Sequence, residues 1–573
     1  MNAEALIAHY EHIGDAPDAI ARLRRFILDL AVRGKLVPQD PNDEPASELL
    51  KRIAEEKARL VKAKKVRDKP VLPAVAEDEM PFDVPAAWRW VRFADVVDFS
   101  AGRTPSRNDT SFWNNGDYVW VSIGDMEDGQ VLTRTKETVS NKARERVFGA
   151  EPEAPGTIIM SFKLTIGKIA RLGVPAFHNE AIISIRAHLA DLDAYLFKVL
   201  PQFARQGDTK GAIKGATLNR GSISNILLPL PPVAEQHRIV AKVEGLMALC
   251  DRLEAARAER EATRDRLTAA SLARLNAPDP ETFQDDARFT LDALPALTAR
   301  PDQIKQLRQT ILNLAVCGKL VPQNPYDEPA SELLKHIENE KARLVKEGKA
   351  KRQDRLPEPD LDQAPFDLPV GWAWGRFPEL GVFGRGKSKH RPRNDPALFD
   401  GGEHLMIQTG DVARSQGVIK TYTSKYNDFG LLQSMKWPKG TLCITIAANI
   451  ADSGILSFDA CFPDSVVGFV PVSIFKDARY FEYFLRTAKA NLLEFAPATA
   501  QKNINLEILT QVLIPLPPLA EQHRIVSKVD ALMALCDRLD SSLTVGENTR
   551  RRLLDALLAE AVAPVEGDIE QAA

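Results

Sequence analysis

Apolar residues recur at helical spacing at Ile20, Leu23, Ile27, Leu30 and Ala31, and the run stops at Gly34, a good helix terminator. After a loop containing Pro38 and Pro41, Asp43 is placed to cap a second helix with Pro45 in its first turn. That helix would bury Leu49, Leu50, Ile53, Leu60 and Val61. From Pro81 the pattern changes. In PFDVPAAWRWVRF, Trp88 and Trp90 stand two apart, on one side of an extended segment, which predicts a first strand tying the next domain to the helices. Short β-branched runs bounded by Gly, Pro or Asn follow at 118–121, 156–160 and 181–185, with a helical piece over 189–204. Leu230-Pro231-Pro232 then launches a long helix. In it Ile239, Val243, Leu246, Cys250 and Leu253 are spaced four, three, four and three apart, a coiled-coil seam, and Glu235 sits in the first turn, where a carboxylate suits the helix dipole.

The whole pattern then repeats. Residues 307–346 match residues 23–62 at 31 of 40 positions, at an offset of 284, and VLIPLPPLAEQHRIVSKVDALMALCDRLDS from Val512 matches the segment from Ile226 at an offset of 286. PFDLPVGWAWGRF from Pro365 answers the first tryptophan segment, and Ile525, Val529, Leu532, Cys536 and Leu539 copy the seam, with Glu521 in place of Glu235. The intervening stretches, about 95–225 and 379–511, share little. The second offers strand runs at 405–407, 441–446 and 466–470 and a helical piece over 478–495. The expected division is a helical region (1–80), a variable domain (81–229), a long helix (230–276), a proline-bearing linker with a repeated helical region (277–364), a second variable domain (365–515), a second long helix (516–562) and a disordered tail (563–573). The expected fold class is α+β, with two α/β domains joined by two long antiparallel helices, a coiled-coil arm, and an internal pseudo-twofold repeat.

A net charge of −3 and a pI near 6.4 exclude a coat of histone type and leave only local basic patches for a polyanion. Five cysteines without CxxC spacing, an N-terminus without a signal pattern and the lack of a membrane-length apolar run lead to the expectation of a reduced, cytoplasmic setting with no membrane partner. GVFGRGKS (Gly381 to Ser388) fits the phosphate-loop pattern, but Pro392 and Pro396 leave no room for the helix such a loop requires. Asn324-Pro325-Tyr326 is a turn. His237 and His523, paired at helix starts, suit capping or packing better than catalysis. No catalytic or metal-ligating set is expected in this chain.

Two equivalent mounts carrying unlike inserts suit duplex DNA, which is itself locally twofold; unlike inserts imply unlike half-sites. PLPPVAEQHRIV and PLPPLAEQHRIV stand before the two long helices, and AGRTPSR (Ala101 to Arg107), Gly124-Asp125 and TAQKNIN (Thr499 to Asn505) lie in the variable parts. On these motifs, and over nearly its whole length, the chain resembles the specificity subunit of Type I restriction–modification systems. It implies a non-catalytic subunit whose variable parts are target recognition domains for double-stranded DNA. It also implies docking of two methyltransferase subunits and, in the full complex, two restriction subunits. S-adenosylmethionine, ATP and Mg2+ would belong to those partners, with no cofactor in this chain.

For DNA contact the candidates are Arg103, Thr104, Ser106 and Arg107 in the first variable part and Arg385, Lys387, Lys389, Arg391 and Arg393, with His390, in the second. Lys163, which faces Ala447 in the repeat, is a further candidate because unshared positions suit base reading. The basic stretches at 62–69 and 346–355 read as solvated helix ends that could also meet phosphate. The ten seam residues named above are the candidates for the arm and partner docking. A protein-binding scaffold without DNA recognition is the alternative.

Overall fold

The computed structural model describes residues 14–562 apart from 65, 67–71, 205–209, 213–214, 278, 280, 348–355, 357–363, 448–450 and 495–505. TAQKNIN, half of the first basic stretch, most of the second and the tail lie outside the described residues. The chain forms two compact units, one drawn from residues 1–259 and 547–573, the other from 260–546. The long helices, Val233–Asn276 and Leu519–Val562, therefore each contribute to both units.

In the first unit the opening helix runs Ala19–Val32 and ends at Gly34, whose φ of +67° favours glycine. A Cβ there would also lie 2.4 Å from Pro85, so the residue serves both the turn and the close passage of the following strand segment. The second helix, Ala46–Lys62, is entered through an extended Pro45 and has no side-chain cap. The expected cap, Asp43, is engaged elsewhere: its carboxylate accepts two bonds from Arg238 of the long helix, at 2.6 and 3.2 Å. A bidentate Arg pair outcompetes the cap, and the first helical N–H, that of Ala46, is taken by the Ala87 carbonyl at 2.9 Å instead. Ala46, Leu49 and Ile53 are buried and the stripe thins toward Leu60 and Val61.

The tryptophan segment becomes a short strand, Arg89–Arg92, paired antiparallel with Leu227–Leu230. The beginning and end of the variable part are thus hydrogen-bonded to each other. Between them lies a five-stranded sheet in the order Val97–Ala101, Ile182–Ala187, Ile158–Ser161, Ile169–Leu172, Gln130–Leu132. A smaller sheet pairs Trp113–Val121 antiparallel with Glu137–Val139 and parallel with Ala176–His178.

The second unit repeats this architecture despite its different sequence. Ala373–Gly375 pairs with Ile514–Leu516. The five-stranded sheet runs Gly381–Arg385, Val466–Pro471, Leu442–Thr445, Ser453–Leu456, Gly417–Ile419, the same topology. Register is preserved as well: Ile183 faces Ala101 and Ile182 faces Ser161, while Val467 faces Arg385 and Val466 faces Thr445. The central strands of both sheets, Ile158–Ser161 with Ile182–Ala187 and Leu442–Thr445 with Val466–Pro471, are buried in unbroken runs of four, so both faces are covered and the pairing survives the change of residues.

The seam residues are buried or half-buried, but their partners differ from a two-stranded arm. Ile239, Val243, Leu246 and Cys250 join the core formed by Ile20, Leu23, Ile27 and Leu30, closed by Leu554 of the other long helix, with Leu253 packed at its edge. Arg24 fixes the pairing through Asp251 at 2.5 Å and Glu254 at 2.8 Å. In the second unit Ile525, Val529 and Cys536 are buried with Ile304, Ile311 and Leu312, Leu532 and Leu539 packing alongside, and Arg308 reaches Asp537 and Asp540 at 2.9 and 2.7 Å. A three–four spacing specifies a helical neighbour but not which one, and the frame helix of each unit takes the place. The stretch read as a linker is also partly helical, at Phe283–Asp292 and Leu294–Leu297. The first of these is tied down by Arg274 and Thr282, both bonded to Asp286 at 2.9 Å.

Candidate nucleic-acid interface

The repeated PLPPxAEQHR segments build a clasp at the root of each variable part. Trp88, 1% exposed, donates its indole N–H to Glu235 Oε2 at 2.8 Å, and Gln39 donates to Oε1 at 2.5 Å. Trp372 donates to Glu521 Oε2 at 3.1 Å, but the other oxygen is buried and has no hydrogen-bond partner among the described residues. Burial pushes both carboxyls above the ordinary value, the donated bonds only partly opposing it. Gln236 and Gln522 donate to the carbonyls of Pro231 and Pro517 at 2.9 and 3.0 Å, and Tyr195 and Tyr480 donate to Pro229 and Pro515. Glu235 and Glu521 are thus buried acceptors rather than dipole partners at an open helix end. His523 lines a cavity of 280 Å³ beside Asp477, Arg479 and Asp530. Among the described residues its Nε2 has no hydrogen-bond partner. Trp90 packs edge-on against Phe82 and Phe203, at 5.0 and 6.0 Å between centroids. The tryptophans serve the frame.

Above each clasp the first strand of the large sheet runs into the candidate loop, and both loops turn on one glycine. A Cβ on Gly102 would lie 1.9 Å from the His178 carbonyl oxygen; on Gly386 it would lie 2.2 Å from that of Phe462. The glycines donate to Ile182 and Val466 at 3.2 and 2.9 Å. Gly386 of the phosphate-loop pattern is therefore required by backbone packing. Its strand ends at Arg385, and the next helical turn is the short one at Pro396–Leu398.

The two loops differ in what surrounds their cations. In the first, Arg107 lies 3.9 Å over the Trp113 ring, with Trp120 edge-on at 4.9 Å beyond, and is paired twice with Glu137. Thr104 donates to Glu180, whose field also includes Lys163 and Arg107. Burial alone would raise that carboxyl, yet the Thr104 bond and the cations hold it below the ordinary value. Arg103 donates to the Val147 carbonyl at 2.6 Å, and Ser106 accepts the Trp113 indole N–H through its carbonyl at 3.0 Å. Lys163 is half-buried on a short strand paired with Thr217. Thr104, Arg107 and Lys163 thus gather about two carboxylates, Glu137 and Glu180, which sequence reasoning missed. Nothing local marks them, since they lie 30 and 76 residues from their partners.

In the second loop Arg385, Lys387, Lys389, Arg391 and Arg393 are all exposed. Arg393 pairs with Asp464 at 2.8 Å and Arg391 donates to the carbonyls of Ser388 and His390. Among the described residues, Arg385, Lys387 and Lys389 have no ion-pair partner. The His390 ring meets Asp395 at 2.7 Å, holding that carboxyl below its usual range. The shared Gly-Asp pairs are internal: Asp125 accepts from Ser122 and Lys136, Asp411 from Gln408 and Thr423. Among the described residues, no group of three His, Cys, Asp or Glu is placed to hold a metal ion, and no helix is long and apolar enough to cross a membrane.

Residues 85–261 and 369–543 each match the family model described as the Type I restriction modification DNA specificity domain. The chain belongs to this family. The Type I restriction enzyme EcoEI specificity subunit of Escherichia coli is 33% identical over 94% of this chain and 93% of its own length. The EcoAI specificity subunit of the same organism is 29% identical over 95% and 94%. A crystal structure of the HsdS subunit from Thermoanaerobacter tengcongensis covers 84% of this chain and 98% of its own at 21% identity and a TM-score of 0.45. The chain is a DNA specificity subunit, the non-catalytic component that directs a restriction–modification system to its sequence. Each of its variable parts is one specificity domain.

Proposed function

We propose that this specificity subunit reads a bipartite, asymmetric DNA target, one half-site with each specificity domain. The observation that carries the reading is one topology and one clasp holding two unlike charge arrangements: Arg107 paired with Glu137 and Thr104 bonded to Glu180 in one domain, and a loop of exposed cations, three of them without an ion-pair partner among the described residues, in the other. Locked Arg and carboxylate groups suit preorganised hydrogen bonding to base edges, and a free polycationic loop suits phosphates and guanine edges. Arg103, Thr104, Ser106, Arg107 and Lys163 are the contact candidates for one half-site, and Arg385, Lys387, Lys389, Arg391 and Arg393 for the other. The duplicated frame gives each of two methyltransferase subunits an equivalent seat, and the full complex adds two restriction subunits. S-adenosylmethionine, ATP and Mg2+ are carried by those partners, and the complex works in the cytoplasm.

The test is an exchange of residues 95–225 for the equivalent segment of a specificity subunit with another target. One half of the recognised sequence should change and the other should persist. Change in both halves, or in neither, sinks the modular reading. Binding of the assembled complex should also weaken steeply with salt, by the counterion release that phosphate contact entails.

A further inference from the structure

The short helix Asp428–Leu432 of the second domain turns an apolar face outward beside the basic loop. Leu432 is 85% exposed and Phe429 50%. Exposed apolar groups on so short a helix would ordinarily mark a mobile segment, but this one is fixed at three points. Asn427 caps it, accepting from the Gly430 N–H at 2.8 Å, and donates to the carbonyls of Ala397 and Asp400 at 2.9 and 3.0 Å. A Cβ on Gly430 would lie 2.5 Å from the Leu398 carbonyl oxygen, so the helix is pressed against its neighbour. Gln433 at its end accepts from the backbone N–H groups of both Lys389 and His390, at 2.6 and 3.1 Å, and Ser434 donates to the Lys387 carbonyl. The His390 ring meets Phe429 edge-on at 5.7 Å. The apolar face and the cationic loop are therefore one rigid surface. Asp428, at the helix start, is turned to His404 at 2.9 Å.

Among its described residues the first domain has no such face at the matching helix. Its counterpart begins at the Ser140 cap and carries Lys142 and Glu145 at the corresponding positions, Lys142 being paired with Asp109. We infer that Phe429 and Leu432 are specificity-determining residues that pack on thymine C5-methyl groups in the major groove of the second half-site, while Lys387 and Lys389 hold the adjacent phosphates. Cations within the same rigid element select a polyanion as the occupant, and the thymine methyl is the apolar group that B-DNA presents in the major groove. The inference rests on the DNA-reading function proposed above.

The experiment uses the full complex with its methyltransferase subunits and duplexes in which thymines of the second half-site are replaced by uracil, which removes the methyl alone. The wild type should bind the uracil duplex about fourfold more weakly for each contacted methyl. The variants Leu432→Ala and Phe429→Ala, both at exposed positions, should bind thymine and uracil duplexes with nearly equal affinity. Uracil in the first half-site should not couple to either variant. An undiminished thymine preference in both variants, or a second half-site without thymine, overturns the inference. Absence of any sequence-specific binding by the wild-type complex would instead remove the underlying DNA reading.

Discussion

Arg107 and Arg393 occupy matching places in two domains of one topology; both are about half exposed and paired with a carboxylate, but Arg107 also lies over an aromatic ring and their neighbours differ. Arg107 is stacked on Trp113 and held by Glu137, in a patch where Glu180 also takes up Thr104. Arg393 reaches out to Asp464 from a loop in which Lys387 and Lys389 stand in solvent. Gly102 and Gly386, a few residues earlier, do the same job in both, each passing a carbonyl oxygen that leaves no room for a side chain. Positions facing the domain's own backbone have been kept, and positions facing outward have been re-used with different electrostatics. A recognition scaffold can therefore change its target while its fold stays fixed, provided change is confined to groups that no backbone atom depends on.

The strongest way to break this comparison is at the frame. Leu246→Asp places a charge in a site 7% exposed and should cost about 4 kcal/mol or more, abolishing cooperative unfolding of its unit in urea. Leu532→Asp, at the half-buried counterpart, should cost distinctly less; equal losses would contradict the unequal packing of the two seams. Next in size are Gly102→Ala and Gly386→Ala, each expected to lose about 3 kcal/mol from overpacking against backbone. A difference of more than about 1 kcal/mol between them in thermal unfolding would argue that the two loops are not equivalent supports.

Arg107→Ala should cost about 1 kcal/mol, from a cation–π contact and a carboxylate pair, whereas Arg393→Ala should cost less than about 0.5 kcal/mol. The reverse order in denaturant titrations would show that the second loop is the locked one. The smallest effect concerns pH. Burial raises the Glu235 and Glu521 carboxyls, so the folded state keeps these protons where the unfolded chain has released them. That stabilisation is complete below the ordinary value of 4.5 and fades as pH rises through the raised folded value. Glu521→Gln and Glu235→Gln should flatten the decline in stability from pH 4.5 toward 7. The change should be larger for Glu521, whose second oxygen has no partner among the described residues where Glu235 has Gln39. Unchanged pH profiles would show that both carboxylates are charged and satisfied throughout.

Much of the architecture was legible because it is periodic or repeated. Ile20 to Ala31 announced a helix and Gly34 its end. Trp88 with Trp90 announced a strand, and the second copy of each confirmed that the residues serve structure. The readings that needed revision were those in which local chemistry had a distant competitor. Asp43 looked like a cap until Arg238 took it, and the seam looked like a two-stranded contact until the frame helices filled it. The basic loops were found by composition alone. Their difference was not, because Glu137 and Glu180 reach Arg107 and Thr104 from strands and turns far along the chain.

By itself the sequence determined the duplication, the long helices, the clasp residues and the choice of cations. Spacing and residue type act through the nearest few residues, and repetition makes them visible. Only the tertiary structure decided that two stretches with little sequence in common share one sheet order and register. It also decided which cations are neutralised, which glycines are pressed against backbone, and that Phe429 and Leu432 are held outward. These depend on which atoms long-range strand pairing brings within a few ångströms of one another, and no periodicity along the chain encodes that.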